Sequence, residues 1–125
     1  MKKRRPVLTA SELEIMQIVW RGGNVTVRDV YEELRERRKV AYTTVMTMMG
    51  ILEQKGYVKN KRGDKAYVYR PSQPKSKVVD SMVTDFVERV FDGSAKPLLV
   101  HLLEQEHLSE EELDEIQRLM KEKNS

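Results

Sequence analysis

The chain has 125 residues, enough for one domain or for one small domain with an oligomerisation appendage. Its 39% hydrophobic content suffices for a core, but no run nears the roughly 18 apolar residues that span a bilayer. Cysteine is absent, which excludes disulfides, thiolate metal sites, thiol nucleophiles and cysteine redox switches. The net charge of +3 hides an asymmetry. Counting Lys+Arg against Asp+Glu, residues 1–73 carry 16 and 8, a net of +8, and residues 74–125 carry 7 and 12, a net of −5. A basic half joined to an acidic half suggests a polyanion-binding domain attached to a segment that avoids the polyanion. Met1-Lys2-Lys3-Arg4-Arg5 is basic, but no apolar stretch of secretory length follows it, so a cytoplasmic location is expected.

The first helix opens at Thr9 with Glu12 three residues on, the spacing of a capping box. Leu13, Met16 and Val19 or Trp20 recur at helical period until Gly22-Gly23 ends the run. A second helix starts at Thr26 with Asp29 at its third position; Val30, Tyr31 and Leu34 give it an apolar side. Arg35, Arg37, Arg38 and Lys39 load its last turn with cations, as the negative helix C-terminus favours. A third helix runs from about Tyr42 to Lys55, where Gly56 suits a left-handed C-cap. Val45, Met48, Met49 and Leu52 form its inner face; Thr43, Thr44 and Thr47 lie opposite, on a face with no charge until Glu53. Helix propensity alone does not select three threonines.

From Tyr57 the period changes to 2. Tyr57 to Lys61 and Ala66 to Arg70 are two short alternating runs around a glycine-containing turn, hence a β-hairpin. Ser72-Gln73-Pro74 reads as a hinge. Beyond it Val78, Val79, Met82, Val83, Phe86, Val87, Val90 and Phe91 form a broad apolar band on one long helix, stopped by Asp92-Gly93. A shorter helix, Leu98 to Leu103, has Pro97 in its first turn. Ser109 with Glu112 opens a last helix, with Leu113, Ile116, Leu119 and Met120 inward.

The fold class is therefore mainly α with a small β-hairpin: a winged helix-turn-helix over residues 1–73, then a helical dimerisation region over residues 74–125. So short a C-terminal segment buries too little surface to cover its own apolar band, and a second copy of the chain is the simplest cover. The residues expected to dimerise are Val79, Met82, Val83, Phe86, Val90, Leu99, Leu103, Leu113, Ile116 and Met120.

A helix-turn-helix sets the N-terminal residues of its second helix against base edges in the major groove. Here those residues are Ala41, Tyr42, Thr43, Thr44 and Thr47. Threonine hydroxyls bond phosphates or bases, and their methyls touch thymine methyls. The alternative is that the threonines merely cap the helix and face solvent. On the hairpin, Lys59, Lys61, Arg62, Lys65 and Tyr67 are placed to reach phosphates as a wing; lysines there also guard exposed strand edges. The tail from Lys2 to Arg5 is either a DNA-contacting arm or a solubilising end. No catalytic, metal or cofactor site is expected: His101 and His107 are six apart in the acidic part, and no phosphate-binding glycine loop or serine-histidine-acid set is present. The seven methionines read as packing.

Leu8-Thr9 with Glu12 and Trp20, Thr26-Val27-Arg28-Asp29-Val30, Ala41-Tyr42-Thr43-Thr44-Val45 with Thr47, Lys55-Gly56, Tyr69-Arg70-Pro71 and Leu108-Ser109 together resemble the penicillinase-repressor (BlaI/MecI) family. The resemblance implies a homodimer that binds palindromic operators in double-stranded DNA and represses genes, often those of β-lactam resistance. It also implies a membrane sensor-protease system that relieves repression by a cut in the penultimate helix. The scissile Asn-Phe pair of β-lactam-responsive members is here His101-Leu102. The C-terminal cysteine motif of the related copper-responsive repressors is missing. The rival reading is a winged helix used as a protein–protein interaction module without specific operator binding.

Overall fold

The computed structural model describes residues 6–62 and 66–124. Lys65, the turn around it and the tail from Lys2 to Arg5 lie outside the described residues. The order is α1 (Ala10–Gly22), α2 (Val27–Arg35), α3 (Tyr42–Gln54), β1 (Val58–Arg62), β2 (Tyr67–Pro71), α4 (Lys75–Phe91), α5 (Lys96–Glu104) and α6 (Glu110–Lys123). The chain divides into two compact units, Met1–Asp80 and Ser81–Ser125, the division falling inside α4.

In the first unit, α1 and α2 begin with the expected capping boxes. Thr9 Oγ1 accepts from Glu12 N at 3.1 Å, and Glu12 Oε1 accepts from Thr9 N at 2.8 Å. Thr26 and Asp29 repeat the pattern at 3.1 and 2.9 Å. Each box satisfies two donors that a helix start leaves orphaned. The apolar stripes of the three helices meet in one core, where Ile15, Met16, Val19, Val30, Leu34, Val45, Met49 and Leu52 have no exposed surface. Full burial of such a side chain contributes about 1.5–3 kcal/mol. Met48 is only half-buried at the edge of that core.

α3 ends on Gly56 at φ 87°, with Tyr57 N donating to Leu52 O at 2.9 Å, and this turn feeds β1. β1 and β2 pair antiparallel, from Val58 opposite Pro71 to Arg62 opposite Tyr67. Pro71, expected just past the strand, instead ends it, a position where its missing N–H interrupts no inner ladder bond. A further rung ties the hairpin to the turn before α2: Val25 and Tyr69 exchange N–H···O bonds of 2.9 and 2.7 Å. That rung requires glycine nearby, because a Cβ on Gly22 would sit 2.6 Å from Val25 Cγ1.

The segment expected as a hinge makes two long-range hydrogen bonds. Ser72 N donates to Tyr57 O at 2.9 Å, and Trp20 Nε1 donates to Gln73 O at 3.3 Å. These bonds, invisible to local composition, hold the start of α4 against the first unit, where Val78 is buried.

The second unit has equally clear local signals. Asp92 and Gly93 leave α4 with φ of 52° and 86°, and Pro97 lies in the first turn of α5. α5 closes with Glu106 at φ 57° and His107 N bonded to Leu102 O at 3.0 Å. α6 starts with the Ser109–Glu112 box at 3.0 and 3.1 Å. Among its described residues, however, no apolar side chain is buried. Val83, Phe86, Val90, Leu99 and Leu103 are exposed; Met82, Leu113 and Ile116, like Val79 just before this unit, are half-buried. Leu119 and Met120, expected inward, are 57% and 59% exposed in the single chain.

Candidate nucleic-acid interface

α3 begins differently from α1, α2 and α6. Its N-cap is Ala41, which has no side chain able to accept a hydrogen bond, and its first turn holds no acid. The only backbone acceptor seen there is Ala41 O, bonded to Thr44 N and Val45 N at 3.1 and 3.2 Å. The helix therefore presents N–H groups and positive dipole without an internal anion, the condition under which helix N-termini bind phosphate. Capping is thus not what the threonines do: Thr47 Oγ1 donates to Thr43 O at 3.0 Å instead.

The structure brings Ala41, Tyr42, Thr43, Thr44 and Thr47 onto the exposed part of α3, opposite buried Val45, Met49 and Leu52. Tyr42 is built in. Its ring meets Tyr31 edge-on at 5.4 Å and 80°, and the Arg28 guanidinium lies 5.9 Å from its centroid. Arg35 lies 5.6 Å over the Tyr31 ring, so two cations flank the start of α3 through aromatic faces. Sequence reasoning missed this cluster, because Tyr31 and Tyr42 sit on different helices.

Of the cations expected in the last turn of α2 only Arg35 lies there: the helix stops at that residue, and Arg37, Arg38 and Lys39 follow it. Most of these cations are committed. Arg37 and Arg21 share Glu33 at 3.0 and 2.6 Å, Arg38 bonds Glu14 at 2.8 Å, and Arg28 and Arg35 share Glu32 at 3.2 and 3.5 Å. Exposed pairs of this kind contribute only ~0–1 kcal/mol each to stability. Their larger effect is to subtract positive charge from that face. Lys39, Lys59, Lys61 and Arg70 are exposed and have no ion-pair partner among the described residues.

On the hairpin, strand alternation puts Lys59 and Lys61 on one face, with Arg70 opposite Lys59. A shallow hollow between the end of α3 and β1 is lined by these three cations and Glu53, among others. Arg62 ends β1 opposite Tyr67, which is 51% exposed. Tyr69 faces the core instead. Burial first, then the negative charges of Glu53 and Tyr67, push its hydroxyl pKa above the ordinary tyrosine value.

The far end of α3 is clamped. Lys55 Nζ bonds Glu12 Oε1 at 2.7 Å and Val7 O at 3.2 Å, while Tyr57 OH donates to Pro6 O at 2.6 Å. Burial of Glu12 works against its charge. The Lys55 hydrogen bond, the Thr9 backbone N–H and the Lys55 charge outweigh that and hold its pKa below the ordinary glutamate value. A glutamate recognisable only as a cap thus also fixes the axis of the third helix.

Two candidate residues lay outside the sequence reading. Met46, read as packing, is 51% exposed, and Ile51 is 36% exposed; both lie off the Val45-Met49-Leu52 stripe, which is the signal that marks them. The other sequence-singled bond, His101-Leu102, lies inside α5, with His101 exposed and Leu102 half-buried.

A third helix with one face in a three-helix core and the other open beside a cationic hairpin is the arrangement of a winged helix-turn-helix transcriptional regulator. The chain belongs to the penicillinase repressor family, whose family model matches residues 8–122, and it is a transcriptional repressor rather than an enzyme. Over 120 residues it is 26% identical to the penicillinase repressor of Bacillus licheniformis, spanning 96% of this chain and 94% of that one. It is 35% identical over 113 residues to the transcriptional regulator BlaI of Mycobacterium tuberculosis (strain CDC 1551 / Oshkosh), spanning 89% and 80%. The solution structure of monomeric B. licheniformis BlaI in complex with the blaP half-operator superposes with a TM-score of 0.52 at 27% identity, covering 60% of this chain and 92% of that one. Among the described residues no helix is long and apolar enough to cross a membrane.

Proposed function

We propose that this repressor occupies an inverted-repeat operator as a cytoplasmic homodimer, with one α3 in a major groove of each half-site. The observation that carries this reading is the start of α3: an uncapped, acid-free helix N-terminus beside exposed Thr43, Thr44 and Thr47. Lys59, Lys61, Arg62, Lys65 and Tyr67 then serve the wing, holding phosphates and setting register while α3 reads bases. The paired copy supplies cover for Val83, Phe86, Val90, Leu99, Leu103 and Met120, which the single chain leaves exposed. That the B. licheniformis relative binds the blaP half-operator supports the same docking here.

Selection of bound duplexes from random DNA, followed by footprinting, tests the reading. Recovery of an inverted repeat with half-sites about one helical turn or a multiple apart is expected. Inserting about five base pairs turns one groove to the opposite side of the duplex and should abolish tight binding. Unchanged affinity after that insertion overturns a geometrically fixed dimer. Binding to a protein partner with no steep salt dependence on DNA would favour the interaction-module reading instead.

Repression ends, on this reading, when the paired tails separate. A membrane sensor-protease system cutting near His101-Leu102 in α5 would do that. Mass spectrometry of the protein from β-lactam-treated cells decides it: fragments ending near that bond support the proteolytic route, and an intact chain throughout derepression refutes it.

A further inference from the structure

Along α3 from Ala41 to Leu52 there is no arginine, lysine, asparagine, glutamine, aspartate or glutamate. Those are the side chains whose bidentate or charged pairs distinguish guanine, adenine or cytosine edges in the major groove; a threonine hydroxyl bonds either kind of base and discriminates little. Glu53 and Gln54 are the first, and Gln54 lies about 18 Å along the helix from Tyr42 at 1.5 Å per residue. At 100° per residue the exposed face is centred on Thr43, Thr47 and Gly50, with Met46 on one flank and Thr44 and Ile51 on the other. Three details make that face apolar in character. Thr47 spends its hydroxyl proton on Thr43 O, leaving its methyl as an unengaged contact surface. Met46 exposes 51% of itself, although an unbranched thioether would ordinarily fill a core gap. A Cβ placed on Gly50 would touch nothing in the chain, although glycine is unfavourable inside a helix, so bare backbone faces whatever approaches.

We propose that base selectivity rests on thymine 5-methyl groups read by this face, and that Met46 is a specificity-determining residue contacting one of them. The inference rests on the operator-binding reading above and adds to it the chemical feature being read. Thymine's methyl is the one apolar group a base pair displays in the major groove, and it matches a surface of methyls, a thioether and bare backbone. The wing cations cannot substitute for it, since phosphate contacts carry no sequence information directly.

The test uses the full-length protein and the duplex recovered by selection, with each thymine of a half-site replaced in turn by deoxyuridine. That exchange removes a methyl and leaves every hydrogen-bonding group in place. At contacted positions affinity should fall about fourfold, the worth of one methylene-sized apolar contact. Met46→Ala should erase the penalty at one such position, and Thr47→Ser, which keeps the hydroxyl, should erase it at another. A merely structural role for either side chain would lower affinity for all duplexes without erasing a position-specific penalty. Full affinity for the all-deoxyuridine duplex, or the complete penalty pattern surviving in Met46→Ala, overturns the inference while leaving operator binding intact. Failure of the selection to yield any consensus overturns the operator-binding reading and this inference with it.

Discussion

Every buried apolar side chain among the described residues lies between Leu8 and Val78, whereas Val83, Phe86, Leu99 and Met120 of the second unit stand 42–59% exposed. Yet both units use the same local devices. Capping boxes open α1 and α6 alike, and left-handed residues with a six-to-one backbone bond close α3 and α5 alike. Caps and turns therefore decide where helices start and stop, and do not decide whether a segment has a core. The first unit closes its own core. The second has helices, but none of its described apolar side chains is buried, and a second copy covers them on the reading proposed above.

The largest effect should come from breaking that cover. Phe86→Asp puts an unpaired charge on the exposed face of α4 and should leave monomers in sedimentation. Operator affinity should then fall to that of one half-site, a loss on the order of 10²–10⁴-fold because the second half-site is no longer bound intramolecularly. Wild-type protein sedimenting as a monomer at micromolar concentration would contradict the comparison.

Core truncations sharpen it. Leu52→Ala removes a side chain with no exposed surface and should cost about 2–5 kcal/mol in denaturant unfolding, at any protein concentration. Leu99→Ala, at a site 47% exposed in the single chain, should instead destabilise in a concentration-dependent way, because folding there is linked to association. Equal, concentration-independent losses for both would show that the second unit carries a core of its own.

A smaller effect is expected at the clamp. Glu12→Gln leaves Lys55 without its carboxylate and should cost about 1–3 kcal/mol. Because the folded pKa of Glu12 lies below its ordinary value of 4.5, its contribution is present above that value and lost as pH falls through the folded pKa. The variant should therefore show a shallower acid limb below about pH 4.5 in a stability titration. An acid limb identical to wild type would place that pH dependence elsewhere. The smallest effect should be Glu106→Gly, which relieves a left-handed residue at φ 57° and should raise the thermal stability of the tail by at most ~1 kcal/mol. A lower melting temperature would mean that chain entropy outweighs the relieved strain.

Much of the architecture was legible in the residues. Thr9–Glu12, Thr26–Asp29 and Ser109–Glu112 are contacts within three residues, so spacing alone reveals them. The two-residue period from Tyr57 and the outward set of Thr43, Thr44 and Thr47 were legible for the same reason. The bonds that Ser72 and Gln73 make were not legible, because their partners, Tyr57 and Trp20, lie far back in the chain. Residue type alone makes Met46 look like packing; its position off the buried stripe is what sets it outside the core.

By itself, then, the sequence determined the capped helix starts, the hairpin and most of the faces each element could bury, because caps, turns and periodicities act over a few residues. It did not determine the end of α2, which stops at Arg35, short of Arg37, Arg38 and Lys39. Only the tertiary structure decided which charges stay available and which are spent, since Arg21, Arg38 and Lys55 find carboxylates 12, 24 and 43 residues away. It alone set the Tyr31–Tyr42 contact, the Val25–Tyr69 rung and the uncapped setting of α3 beside the hairpin. Contacts between distant segments depend on how elements pack, and no local pattern encodes that.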